Sequence, residues 1–160
     1  MAKIPPETKV TFNIEEKPDP DEVAAIQQGL ADYNHLFSEH DNHQFLYILL
    51  RDANNHLAGG LLGGTYWRWL HIDILWLRED LRQQGYGSRL LQTAEQEAVR
   101  RGSRHVYLET HDFQALPFYQ KHGYVVFAEL PDMPPNHVKY FLRKDFANAI
   151  QSQTTQTAPG

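Results

Sequence analysis

The chain contains no cysteine. Disulfides, thiolate metal sites and a cysteine nucleophile are therefore excluded, and the reading is of a cytoplasmic protein. It also lacks a long apolar run. The longest, Phe45 to Leu50, is far short of the roughly 20 residues needed to cross a bilayer as a helix. The opening Met1-Ala2-Lys3-Ile4-Pro5-Pro6 has no apolar signal core. Positive charge is not in excess: 15 Lys and Arg stand against 20 Asp and Glu, a formal net charge of -5. No global basic field argues for nucleic acid or an anionic membrane as partner. Internal repeats are absent. Four of the nine histidines, His35, His40, His43 and His56, fall in or beside polar loops. No ligand spacing among them calls for a metal ion.

What is present is an ordinary composition, 41% hydrophobic and 22% charged over 160 residues, enough for one domain with a sizeable core. We place that domain at residues 1–147 and a disordered Gln/Thr-rich tail at 148–160. Val10 to Ile14 alternates and predicts a first strand. Asp19-Pro20-Asp21-Glu22 then predicts a helix start, with Asp19 as N-cap, Pro20 at the first helical position and Glu22 completing a capping box. Val23, Ile26, Leu30, Tyr33 and Phe37 repeat at helical spacing and predict a core-facing stripe. Phe45 to Asp52 and Leu57 to Tyr66 read as a hairpin about an Asn-containing turn. Gly59, Gly60, Gly63 and Gly64 in its second strand point to bulges or to close approach of another backbone.

The most informative stretch is Leu70 to Leu91. A strand, Leu70 to Leu77, runs into Arg82-Gln83-Gln84-Gly85-Tyr86-Gly87 and then into a helix from Ser88 with Leu90, Leu91, Ala94, Ala98 and Val99 on one face. A glycine turn at a helix N-terminus offers free N–H groups and the positive end of the dipole, which suits phosphate. The two commonest phosphate loops do not fit. Leu90 stands where the dinucleotide fingerprint needs its third glycine, and no Gly-Lys-Ser/Thr triplet occurs.

Arg82-x-x-Gly85-x-Gly87 instead resembles the pyrophosphate loop of the GNAT acyl-CoA N-acyltransferases, Arg/Gln-x-x-Gly-x-Gly/Ala. One strand later comes a second block, Asp112 to Tyr124. It resembles that family's other signature, Asn-x-x-Ala-x-x-Phe/Leu-Tyr-x-Lys-x-Gly-Phe/Tyr, and Ala115, Phe118, Tyr119, Lys121, Gly123 and Tyr124 match. Asp112 replaces the commoner asparagine, and Pro117 lies in the short helix. The resemblance covers about residues 10 to 143. It implies an α/β (α+β) fold with a mixed, mostly antiparallel sheet of six to seven strands, splayed near its centre, with helices on both faces. Val125 to Glu129 and Val138 to Arg143 are the expected last strands. The proline-rich loop between them resembles the one that shapes substrate access in the family, or is a plain hairpin connection.

The same resemblance implies acetyl-CoA as co-substrate. Arg82, Gln83, Gln84, Gly85, Tyr86, Gly87 and Ser88 would hold its pyrophosphate. The main chain at Leu75, Trp76 and Leu77 would take the pantetheine arm, and Asp112, Phe118, Tyr119 and Lys121 would complete the site. Arg82 or Arg89 would add charge to the phosphates, unless Arg89 belongs to a solvated helix face. Tyr119 matches the family's general acid. For the base, His71 and Asp73 share a strand face by alternation, and Glu109 is a third candidate. Each can equally be a hydrogen-bonded structural residue. The first helices of the family border the acceptor cleft, which brings in Tyr33 or Phe37. Glu109, Asp73 and Asp132 suit a cationic small molecule, on which Trp67 and Trp69 would stack unless they belong to the core or a dimer surface. The expected reaction is acetyl transfer to a primary amine by direct attack in a ternary complex, with a homodimer possible. A protein N-terminal or lysine acceptor, another acyl donor, or a non-catalytic acyl-CoA sensor stay open as alternatives.

Overall fold

The computed structural model describes residues 10–39 and 41–146; the predicted tail at 148–160 lies outside them, as does His40. The chain divides into two compact units, Met1–Glu39 and His40–Gly160.

The N-terminal unit contains one helix, α1 (Pro20–His35). It starts where the capping chemistry places it. Pro20 sits in the first turn, and the Asp19 carboxylate accepts a hydrogen bond from the Asp21 N–H at 3.0 Å. One expectation for this unit fails. Val10 to Ile14 is not a strand. Alternation makes a strand only where a neighbour completes the hydrogen-bond ladder, and this segment pairs with no strand among the described residues. The stripe of Val23, Ile26, Leu30 and Tyr33 lies along α1, with Phe37 just beyond its end.

The second unit is a six-stranded sheet in the order β1-β2-β3-β4-β6-β5. Its strands are β1 (Gln44–Arg51), β2 (Leu57–Tyr66), β3 (Trp69–Leu77), β4 (His105–His111), β5 (Val125–Pro131) and β6 (Val138–Asp145). Every pair is antiparallel except β3 with β4. That parallel pair needs a crossover, and α2 (Tyr86–Arg100) supplies it. A short α3 (Leu116–Lys121) follows β4. Pro117 falls in the first turn of α3, where its missing N–H costs no helical hydrogen bond.

One face of the sheet, Leu46, Leu61, Leu70, Ile72, Val106, Leu108 and Leu142, packs with Leu91, Ala94 and Ala98 of α2 and Tyr119 of α3. Leu61, Leu70, Val106 and Leu142 are completely buried, each contributing about 1.5–3 kcal/mol relative to exposure. The predicted face of α2 holds except at Val99, which is 40% exposed. A half-buried polar group fastens α2 to this face: the Glu95 carboxylate accepts from the Tyr124 hydroxyl and from Lys144 Nζ, each at 2.8 Å.

The glycines of β2 have the cause expected of them. A Cβ on Gly63 would lie 2.2 Å from the His71 carbonyl oxygen, and one on Gly60 2.6 Å from that of Ile48. Beside Gly63 the ladder slips. Leu62 faces Ile74 while Gly63 faces Ile72, so Asp73 is the extra residue of a β-bulge. The turn from β2 to β3 is built without glycine: Trp67 and Arg68 both adopt positive φ, 42° and 65°, the twist a two-residue hairpin requires. Asp41 and Arg104 hold it in place, through the Trp67 N–H to the Asp41 carbonyl and the Arg104 N–H to the Arg68 carbonyl.

Candidate active site

The sheet opens at its centre. β3 and β4 pair from Trp69 with His105 to Ile72 with Leu108. Beyond that point Asp73–Leu77 and Glu109–His111 diverge, β3 staying with β2 and β4 with β6. The bulge at Asp73 increases the local twist just where the strands part. The gap is the splay expected near the middle of the sheet. Leu75, Trp76 and Leu77 line its β3 side with main-chain groups that β4 does not take up.

At the end of β3 the chain makes one 3₁₀ turn, Glu79–Leu81, and enters the glycine loop. Arg82 Nε donates to the Leu77 carbonyl at 3.1 Å, and the Gln84 amide donates to the Asp80 carbonyl. These bonds stiffen the loop from within. Gln83 and Gly85 take positive φ, 60° and 84°, and Gly85 is the N-cap. The helix therefore starts at Tyr86, two residues before the predicted Ser88. Its first N–H groups, on Tyr86, Gly87 and Ser88, have no carbonyl a turn below them. Gly87 sits between Phe118 and Leu77, whose side-chain carbons would stand 3.5 and 3.6 Å from a Cβ placed there. Its bare Cα faces the gap between α2, α3 and the end of β3. An anion can approach those N–H groups closely, and none of the first-turn residues is acidic.

Tyr119 projects from α3 into the hydrophobic core. Its ring packs edge-on against Phe118 at 5.1 Å and Tyr124 at 5.7 Å. Burial pushes its hydroxyl up to about 12, because the phenolate is poorly solvated there. Among the described residues no buried side-chain oxygen lacks a partner, and the hydroxyl bonds to no protein group, so it opens onto solvent-accessible space. Tyr119 thus holds its proton at neutral pH and can present it outward.

On the opposite face of the sheet, next to the opening, His71 Nε2 lies 3.1 Å from Glu109 Oε2. A carboxylate only accepts, so Nε2 carries the proton of this bond, and in the neutral ring the lone pair falls on Nδ1. The imidazole stacks on Tyr107, with centroids 4.4 Å apart and planes at 9°. Tyr107 shares a hydroxyl–hydroxyl bond with Tyr66, and burial first, then that bond, holds its pKa well above that of an ordinary phenol. The structure therefore joins His71 to Glu109 across the strands. Asp73, the expected neighbour of His71, stands exposed at the bulge. Alternation along one strand cannot register a bulge or a partner on the next strand, and Glu109 was recognisable only as a carboxylate ending a strand.

The remaining candidates are placed as follows. Asp112 accepts from the Phe113 N–H at 2.8 Å and pairs with His137 Nδ1 at 3.0 Å, tying the start of the second block to the loop before β6. Lys121 is exposed on α3. Trp69 stacks on His105 at 4.5 Å at the closed end of the β3–β4 ladder, about 13 Å of strand rise from the opening. Trp67 occupies the hairpin turn beyond it. Tyr33 belongs to α1 and is exposed. Asp132 adopts positive φ in the β5–β6 loop, where its carboxylate accepts from the Asn136 N–H. A residue that no motif marked also enters the site: His122 of the α3 C-terminus bridges to Ser88 of α2 at 2.9 Å. Among the described residues there is no cluster suited to a metal ion, and no helix is long and apolar enough to cross a membrane.

Comparison with known proteins agrees with this architecture. The chain is 46% identical over 90 residues to a blasticidin-S acetyltransferase of Streptomyces morookaense, a match spanning 56% of this chain and 66% of that protein. It is 32% identical over 138 residues to an acetyltransferase of Agrobacterium fabrum (strain C58), covering 86% of this chain and all of that one. The crystal structure of an acetyltransferase from Bacillus cereus superposes with a TM-score of 0.77 at 31% identity, over 84% of this chain and 98% of that one. The profile of the acetyltransferase (GNAT) family matches residues 9–124, both motif blocks included, and the chain belongs to that family of acyltransferases.

Proposed function

We propose that this enzyme transfers the acetyl group of acetyl-CoA to a primary amine of a small, cationic molecule by direct attack in a ternary complex. The observation that carries the reading is the opening between β3 and β4 beyond Ile72 and Leu108, with the bare N-terminus of α2 at its end. An extended acyl-pantetheine arm needs such a slot with unpaired main-chain groups, and a pyrophosphate needs such a helix end. The family and the small-molecule name of one relative support the acceptor class. We place the reaction in the cytoplasm, with neither nucleic acid nor membrane as partner.

The chemistry distributes over the residues present. An alkyl ammonium of pKa about 10 must lose a proton before it attacks. His71 with Glu109, or Asp73 exposed at the bulge, offers the acceptor for that proton, directly or through water. The amine nitrogen then bonds to the thioester carbon, the C–S bond breaks, the sulfur leaves as a thiolate, and the nitrogen gives up its second proton to solvent as the neutral amide forms. Tyr119 donates a hydrogen bond, and at the limit its proton, to that sulfur as charge develops. Glu109, Asp73 and Asp132 give the acceptor side its negative charge. A panel of amines incubated with acetyl-CoA, with thiol release followed, tests the reading. Release stimulated by a cationic small amine is expected. Binding of acetyl-CoA with no amine-stimulated release would instead make the protein a sensor.

A further inference from the structure

His122 lies outside the residues that the two motif blocks assign to a role, yet its position is tightly defined. Its Nδ1 is 2.8 Å from the carbonyl oxygen of Phe118, one turn earlier in α3. Its Nε2 is 2.9 Å from Ser88 Oγ, and its ring packs on Phe118 with centroids 4.5 Å apart. A carbonyl only accepts, so Nδ1 carries a proton in every charge state. In the neutral ring Nε2 is then an acceptor, and the Ser88 hydroxyl must donate to it. That consumes the only hydrogen Ser88 can offer. In the charged ring Nε2–H donates to Ser88 Oγ, and the hydroxyl hydrogen is released to point elsewhere.

Ser88 is the third residue of α2, within the turn whose N–H groups face an incoming anion. Among the described residues no charged side chain bonds to the ring: Ser88 and the positive dipole end of α2, which opposes a further positive charge in the free protein, meet it from one side, and the Phe118 carbonyl of α3 from the other. A pyrophosphate reverses that balance.

Resting on the reading above that CoA binds here, we propose that His122 is a positioning residue for the pyrophosphate of CoA: it takes up a proton as the cofactor binds, and so turns the Ser88 hydroxyl from a donor to His122 into a donor to phosphate. Histidine is the side chain suited to such a change near neutral pH. The coupling makes cofactor affinity rise as pH falls from about 8 to about 6. The charge at this helix end changes the affinity about two- to fivefold, the usual range for one charge at a helix terminus.

Nitrogen-15 NMR of the histidine rings in the full-length protein tests this directly. The pH is set where the free protein shows His122 protonated at Nδ1 alone. Saturation with CoA should protonate both nitrogens, whereas acetyl-pantetheine, which lacks the pyrophosphate, should not. His122→Asn keeps a donor where Nδ1 stands, and so keeps the Phe118 bond. It should fold normally, bind CoA, and lose the rise in affinity between pH 8 and pH 6 measured by calorimetry. Ser88→Ala should lose that rise as well. A His122 ring whose Nε2 stays unprotonated with CoA bound would overturn the inference, as would an unchanged pH dependence in His122→Asn. Failure of CoA to bind the wild-type protein at all would overturn the functional reading together with it.

Discussion

Replacing Tyr119 with phenylalanine removes one oxygen from a ring that is only 6% exposed. The packing against Phe118 and Tyr124 is carried by the ring and is kept. Among the described residues the hydroxyl holds no protein partner, so the substitution leaves no buried group orphaned, and stability should change by less than about 1 kcal/mol. The effect on rate is of another order. A thiolate resembling that of cysteine, with pKa about 8.5, leaves poorly without a donor, and loss of a general acid typically costs about a hundredfold or more. That is at least about 2.7 kcal/mol in the barrier. Because burial raises the Tyr119 hydroxyl to about 12, the acid stays protonated across the working range, so the wild-type rate should show no alkaline decline from this residue below about pH 10. The assay is thiol release from acetyl-CoA with the best amine, under conditions where the rate is insensitive to viscosity and chemistry is limiting. CoA affinity and the melting temperature serve as controls. Near-full turnover in a folded Tyr119→Phe enzyme would refute the assignment and leave the thiolate to water or a main-chain donor.

Other perturbations separate site from scaffold. Gly87→Val should weaken CoA binding strongly; a Cβ at Gly87 meets Phe118 and Leu77 at ordinary contact distance, so Gly87→Ala is the variant that keeps stability, and calorimetry and thermal melting read the two effects. Gly85→Ala should do the converse in part, costing about 1 kcal/mol through its φ of 84° although nothing lies within 4 Å of the new carbon. Gly63→Ala should be among the most damaging single-methyl additions, costing about 3 kcal/mol by denaturant titration, since the His71 carbonyl stands where the methyl would go. Replacing His71 and Asp73 together with Asn should slow acetylation most at low pH, where neutral amine is scarce; an unchanged pH–rate profile would make them structural. Glu97 is held down to about 2 by hydrogen bonds from Arg100 and then Arg101. A lowered carboxyl stabilises above its unfolded value and loses that contribution as pH falls from about 4.5 toward about 2. The melting temperatures of wild type and Glu97→Gln should therefore converge in that window, and the gap above it should shrink with added salt.

The two motif blocks by themselves determined a good deal. The glycine turn after a strand announced an anion site because turn chemistry and helix N-termini are local properties, set by residues within a few positions of one another. The N-cap of α1, the hairpin of β1 and β2, and the buried face of α2 were legible for the same reason. Even the crowded glycines of β2 betrayed a close neighbour, without saying which. What lay beyond the sequence was everything decided by pairing at a distance. Val10 to Ile14 has the pattern of a strand and, among the described residues, no partner to make it one. Asp73 was aligned with His71 by simple alternation, but a bulge set it apart, and the partner of His71 proved to be Glu109, 38 residues on. His122 carried no signal at all until the α3 C-terminus came to rest against Ser88. Periodicity encodes which face of an element is apolar; only the register between elements, fixed by the whole sheet at once, decides which polar groups meet across it.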